Sequence, residues 1–287
     1  MKKNNYSLND LPHFSPWPAR LLGIEPCEQR YKTPEEITRE YNYEKWGTLL
    51  NRVIGSKEVS IEDVERWVLE DTPVSLCSVE DEFELLSTIE ASRRHAELME
   101  NIIKSYLPAT ALVELGAGYG NIILGLAKKE PFKKMSLIAG EYTASGVELI
   151  TQLAQIQKIH IQAEHCDFFS DSVLDFTIPE DALIYTSFAA HYVPKLSNNF
   201  IRSLSEFHPK AVIHAEPCYE HFNRLTLLGL LRRRYMEVND YNTNLVTLLH
   251  DQQDKGLIKI LEERPAVFGM NPLLPASLLV WTPIFKS

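Results

Sequence analysis

The sequence predicts an α/β fold: a doubly wound, seven-stranded, mostly parallel sheet with an antiparallel C-terminal hairpin, an N-terminal helical region and a helical insertion before the hairpin. Three observations predict it. From Ala111 onward, short apolar runs alternate with helix-period segments at the spacing of strand–helix units. The first run, ALVEL, leads straight into Gly116, Gly118 and Gly120, as a strand-to-helix turn does. The last two runs, LIKILEER and ASLLVWTPI, are joined by PAVFGMNPLLP, which is too brief for a helical crossover and suits an antiparallel pair at the sheet edge.

The elements follow in order. The first thirty residues, with LPHFSPWPARLLGIEP at their centre, are rich in proline and aromatics and read as irregular chain packed on something else. In TPEEI, Thr33 caps a helix, Pro34 takes its first position and Glu35 and Glu36 fill its first turn. SIEDVERWVLE repeats the pattern from Ser60, with Asp63 three residues on. A long helical stretch over 80–106 completes a front expected to be all helical. The strands ALVEL, MSLIAG, IHIQAEHC, ALIYTSF and AVIHAE then alternate with helices such as SGVELITQLAQIQ and LSNNFIRSLSEF. A helical insertion over 220–254 precedes the final pair. The expected division is a lid or substrate region at 1–107 and a cofactor-binding domain at 108–287.

Composition narrows the function. A formal charge of −10 argues against nucleic acid as the main partner, because phosphate binding needs a basic surface. The four cysteines, Cys27, Cys77, Cys166 and Cys218, show no paired spacing, which fits a reducing compartment and neither a disulfide framework nor a zinc site. MKKNNYSLND lacks the apolar core of a signal peptide, and LTLLGLL at 225–231 is too short to span a bilayer. A soluble cytoplasmic protein without membrane partner is the expectation. A homodimer is one option that the sequence leaves open.

The glycines discriminate between cofactors. A dinucleotide fingerprint wants G-x-G-x-x-G, and Asn121 stands where its third glycine belongs. What is present is acid-x-G-x-G-x-G, from Glu114 to Gly120. This resembles the first motif of the class I S-adenosylmethionine-dependent methyltransferases, and the likeness covers about 108–287. The resemblance implies that Glu114 lies beside the methionine end of S-adenosyl-L-methionine, whose α-ammonium suits a carboxylate. Glu141, ending the second strand, falls where the family has an acid for the ribose hydroxyls, although the same acid would serve a nicotinamide cofactor. Asp167 falls where the family accepts the adenine amine, with Phe168 packing on the ring. Ala117, Tyr142 and Ser187 complete the cofactor-binding set, Ser187 lying in IYTSFAAHYVP, which follows the fourth strand where the family lines the methyl donor.

The resemblance also excludes subclasses. Asp181 has no neighbours to make the metal site of the catechol type, and no [DN]-P-P-[YF] of the base-amine type follows the fourth strand. No metal is therefore expected. Cys166 and Cys218 belong to different strand ends and form no nucleophilic dyad.

The acceptor side rests on fewer residues. Glu216 ends the fifth strand before Pro217, and Glu220 follows one helical turn on. Two carboxylates facing a pocket would clamp an amine or guanidine and aim its nitrogen, so Glu216 and His191 are the catalytic candidates. Glu216, Glu220, Tyr192, Trp46 and Tyr41 are the substrate-binding candidates, and the acceptor is a small molecule or peptide. Plainer readings stand beside these: Glu220 as a solvated first-turn acid, His214 as a core histidine, and Arg232, Arg233 and Arg234 as a solvated helix end. Three alternatives stay open. They are an O-methyltransferase with His191 as base, a nicotinamide-dependent oxidoreductase, and a catalytically silent cofactor-binding partner subunit.

Overall fold

The computed structural model describes residues 6–56, 58–170, 174 and 176–285. Its strands are β1 (Val74–Val79), β2 (Glu82–Ser87), β3 (Ala111–Leu115), β4 (Ser136–Glu141), β5 (Gln162–His165), β6 (Leu183–Ser187), β7 (Ala211–Pro217), β8 (Ile258–Gly269) and β9 (Ala276–Pro283). They form one nine-stranded sheet in the order β2-β1-β8-β9-β7-β6-β3-β4-β5. The run β5-β4-β3-β6-β7 is parallel throughout, and β9 pairs antiparallel with both β7 and β8.

The helices are α1 (Trp17–Leu21), α2 (Pro34–Ile37), α3 (Trp46–Ile54), α4 (Ile61–Leu69), α5 (Thr88–Ser105), α6 (Asn121–Leu126), α7 (Ala144–Gln157), α8 (Asn198–Ser205), α9 (Leu227–Val238) and α10 (Leu245–Asp254). Alternation within β3 assigns them to the two faces. Leu112 joins a core with residues of α4, α5, α6 and α7, while Ala111, Val113 and Leu115 join one with α8 and α10. A strand covered on both sides reads as a continuous apolar run, which is why ALVEL stands out. The one acid in that run, Glu114, is buried with the rest.

Two strands exceed the expected seven. VSLCSV and EFELLS, placed by the sequence reading in a helical front, form the hairpin β1–β2, which joins the sheet edge at β8 through Ser78–Gly269 and Val79–Phe268. Its two-residue turn holds Glu80 and Asp81 at φ 49° and 67°. Turns of that hand normally carry Asn-Gly, so a Glu-Asp pair beside glutamate-rich chain looks helical. Arg232 of α9 secures the turn. It pairs with Asp81, and donates to Ser78 Oγ at 2.9 Å and to the Pro272 carbonyl at 3.0 Å. Arg232 is therefore buried structure, whereas Arg234 is exposed.

The final hairpin is antiparallel, but β8 absorbs the beginning of the expected linker by means of irregular register around Ile260–Glu262 and Arg264–Phe268. Thr33 and Ser60 cap α2 and α4, the latter in a full capping box with Asp63. Between α2 and α3 the chain winds through a π-helical stretch, Thr38–Lys45. No helix among the described residues is long and apolar enough to cross a membrane.

Candidate active site

Gly116 and Gly118 turn the chain at the carboxyl end of β3, with φ of 74° and 60°. A Cβ on Gly116 would stand 2.2 Å from the Ala189 Cβ, so the loop after β6 closes directly on a bare backbone. The turn's amides are engaged. Gly116 and Ala117 donate to the Gly140 carbonyl at 2.8 and 3.0 Å, and Gly118 donates to Glu141 Oε2 at 2.9 Å. Gly120 is the N-cap of α6, packed beneath the turn against Ile150 and Leu124 and off the cavity wall.

Glu114 sits under this turn. Its Oε2 accepts from the Ile123 amide in the first turn of α6 at 3.1 Å and from the Tyr185 hydroxyl at 3.0 Å. Burial pushes its carboxyl up to about 8 against those two hydrogen bonds. Glu141 is also buried, and burial raises it despite bonds from Thr143 and Gly118. Neither acid has a basic partner among the described residues. A buried acid, protonated near neutral pH until a positive charge meets it, therefore occupies the helix N-terminus where a dinucleotide fold receives its pyrophosphate, and a cation would find its counter-charge there.

Both acids line a cavity of about 710 Å³. Of the cofactor-binding candidates, Glu114, Gly116, Ala117, Gly118, Glu141, Tyr142, Phe168 and Ser187 lie on its wall. Asp167 does not. It forms a local turn instead, accepting from the Phe169 amide at 2.8 Å. Of the substrate candidates, Tyr41, Trp46 and Tyr192 line the same cavity. The N-terminal segment brings two of these across the chain. Trp46 Cζ2 lies 3.1 Å from where a Gly118 Cβ would be, and the Tyr41 and Tyr192 hydroxyls are hydrogen-bonded. Asn42 ties the segment to α7, accepting from the Ser145 amide at 2.9 Å and, through its carbonyl, from Ser145 Oγ at 2.8 Å.

The catalytic candidates, Glu216 and His191, lie behind the cavity wall. Glu216 is fully buried below the loop that follows β6 and does not reach the cavity. Its oxygens accept from the amides of Ala189, Ala190 and His191 at 3.0–3.2 Å and lie 3.2 Å from His191 Nδ1. Burial pushes Glu216 up, but the His191 bond and charge and the loop amides outweigh it and hold the carboxyl below its usual range. The pair shapes the loop. His191 is itself buried and absent from the cavity wall. Glu220 is also off the wall, with Oε1 accepting from the Thr247 amide at 3.0 Å and Oε2 without a partner among the described residues. Glu216 and Glu220 thus form no joint clamp. A strand-end acid reads alike in sequence whether it faces a ligand or its own loop.

His214 lies in the core, between Thr186 Oγ1 and the Trp281 indole N–H at 3.0 Å each, and burial pushes it down to about 4. Sequence reasoning missed His95 of α5. This buried imidazole brings Nε2 to 2.7 Å from Ser187 Oγ, and burial lowers it to about 4 despite the charge of Glu216. Nothing in SRRHAEL marks it, because the contact joins residues 92 positions apart. Lys32 was also missed. It is buried, 3.1 Å from Glu40 and 4.9 Å from the Tyr192 ring centroid, and it holds the N-terminal segment beside the cavity.

No protein-family model matches the chain, and no curated protein does. Among solved structures it is similar to the magnesium protoporphyrin IX methyltransferase of Synechocystis PCC 6803 with bound SAH, at 11% identity and a TM-score of 0.48 over 87% of this chain and 99% of that one. It is also similar to a SAM-dependent methyltransferase of Aquifex aeolicus, at 15% identity and a TM-score of 0.43 over 65% of this chain and 89% of that one. A third, an S-adenosylmethionine-dependent methyltransferase of Clostridium acetobutylicum ATCC 824, has 11% identity and a TM-score of 0.46 over 64% of this chain and 88% of that one. Likenesses this distant decide nothing about chemistry.

Proposed function

We propose that this chain is an S-adenosylmethionine-dependent methyltransferase acting on a small molecule. One observation carries the reading: Glu114, a buried acid without a basic partner among the described residues, stands at the α6 N-terminus beneath a glycine turn that opens on the cavity. A pyrophosphate there would meet a buried acid and amides already engaged, whereas an ammonium would favour the ionised acid and gain a counter-charge. That weighs against the nicotinamide alternative. The residues fit the cofactor otherwise as well. Glu141 ends β4 beside the turn and is able to accept ribose hydroxyls, and Tyr142 and Phe168 offer apolar faces to an adenine.

When bound, the cofactor supplies an electrophilic methyl on a sulfonium that departs as a neutral thioether. The protein's task is then orientation and dryness. Gly116 lets the loop after β6 close against the turn, and Glu216 fixes that loop from below through three amides. Trp46, Tyr41 and Tyr192 form the cover that excludes water, which gives the N-terminal region its role as lid. With Glu216 and Glu220 turned away from the cavity, the carboxylate argument for a nitrogen acceptor lapses, and an oxygen acceptor with His191 as base loses its geometry too.

The test is binding, followed by turnover. S-adenosylhomocysteine is expected to raise the melting temperature while NAD does not, and Gly116→Ala is expected to remove the shift. Incubation with S-adenosylmethionine and a panel of amines, guanidines, phenols and carboxylates should then yield S-adenosylhomocysteine and an acceptor heavier by one methyl. Stabilisation by NAD alone would overturn the proposal in favour of the oxidoreductase.

A further inference from the structure

The dyad of His95 and Ser187 has no task in the fold that explains its position. Ser187 is the last residue of β6, one step beyond the Leu115–Thr186 pair, and so stands level with Gly116 at the mouth of the cleft. It lines the cavity, while His95 approaches it from behind on α5. The imidazole is fixed on its other sides by Phe188, edge-on at 5.3 Å, and Phe268, stacked at 6.2 Å, and its Nδ1 has no partner among the described residues. Orphaning one buried nitrogen is costly, so a core histidine whose one side-chain hydrogen bond among the described residues is to a cavity serine calls for a reason.

We propose that Ser187 is the polar contact at the methyl-transfer position, presenting an oxygen lone pair to the group that stands there, and that His95 is the positioning residue that fixes its hydroxyl. The inference rests on the methyltransferase reading. It takes the tautomer in which Nε2 accepts from the hydroxyl, which leaves both oxygen lone pairs free and no O–H to donate. An N–H or O–H of an acceptor then finds a fixed partner beside the methyl. The acceptor class is accordingly a molecule whose nucleophilic atom carries hydrogen. The dyad is neutral and brings no charge to the site.

Sinefungin tests this without knowledge of the acceptor, because it carries an amine-bearing carbon in place of the methyl-bearing sulfur. Calorimetry on the full chain should show sinefungin binding at least about tenfold tighter than S-adenosylhomocysteine, as expected for a charged hydrogen bond. Ser187→Ala and His95→Phe should bring that ratio close to one, and His95→Gln, whose amide is able to reach the hydroxyl, should restore part of it. A purely structural role would weaken both ligands together and leave the ratio intact. If His95→Phe fails to fold, as circular dichroism would report, His95→Gln and Ser187→Ala decide. A wild-type ratio near one, or a ratio that survives Ser187→Ala, overturns the proposal. A ratio lost in Ser187→Ala but kept in His95→Phe overturns the part assigned to His95. If S-adenosylhomocysteine does not bind the wild type at all, the methyltransferase reading fails and this inference falls with it.

Discussion

Glu114 and Glu216 are both buried carboxylates at strand ends, and their surroundings send them opposite ways. Glu114 has two hydrogen bonds against complete burial, and its folded pKa rises to about 8. Its stabilising contribution is therefore full below the unfolded carboxyl range and is lost as pH rises through 8. A bound α-ammonium reverses the preference by favouring the ionised form. S-adenosylhomocysteine binding at pH 7 should thus release a proton and tighten as pH rises toward 8. Calorimetry in two buffers of different ionisation enthalpy measures the proton, and Glu114→Gln should abolish both effects. Glu216 is held below its usual range by His191 and the loop amides, so its contribution is present above the unfolded carboxyl pKa and lost as pH falls through the lower folded one. Glu216→Ala should cost about 3 kcal/mol, since it strands three amides and His191. Denaturant unfolding checks that figure, and a change under about 1 kcal/mol would contradict the loop-fixing role.

Among the elements, the π-helical stretch Thr38–Lys45 would govern the proposed lid. It precedes α3 and carries Tyr41 and Asn42, so its winding sets where Trp46 meets the glycine turn. The Asn42–Ser145 pair anchors it to α7 by one side-chain and one main-chain acceptor. Asn42→Ala removes the first. S-adenosylhomocysteine should then dissociate several-fold faster, as stopped-flow tryptophan fluorescence would record, while the melting temperature of the free protein changes little. Sequence patterning found the aromatic residues of this stretch but not its winding, because π-helical geometry has no periodic signature of its own. The β1–β2 hairpin was illegible for a related reason. Its turn places Glu80 where such turns favour asparagine and Asp81 where they favour glycine, and Arg232 holds it through Asp81, so local chemistry pointed to helix.

At the scale of the whole molecule, the hairpin makes the front of the chain part of the same sheet as the back. With β1 bonded to β8 and α3, α4 and α5 sharing one apolar core with α6 and α7, the described residues before Ala111 have little means of unfolding alone. Calorimetry should record one cooperative transition, with van't Hoff and calorimetric enthalpies in agreement; two resolved transitions would mean the lid is a separate unit. The sequence by itself determined the parallel sheet from Ala111 onward, the antiparallel final pair and the glycine turn with its flanking acids. These are local signals: fully buried strands must be apolar along their length, and only glycine tolerates the positive φ and close approach at 116 and 118. Tertiary structure alone decided which way each polar side chain faces. Glu216 and Ser187 both end strands beside the cleft, yet the loop amides claim the one while the cavity receives the other, with His95 reaching it from 92 residues away. A carboxylate's partner is set by the nearest unsatisfied donors in space, and spacing along the chain does not encode that.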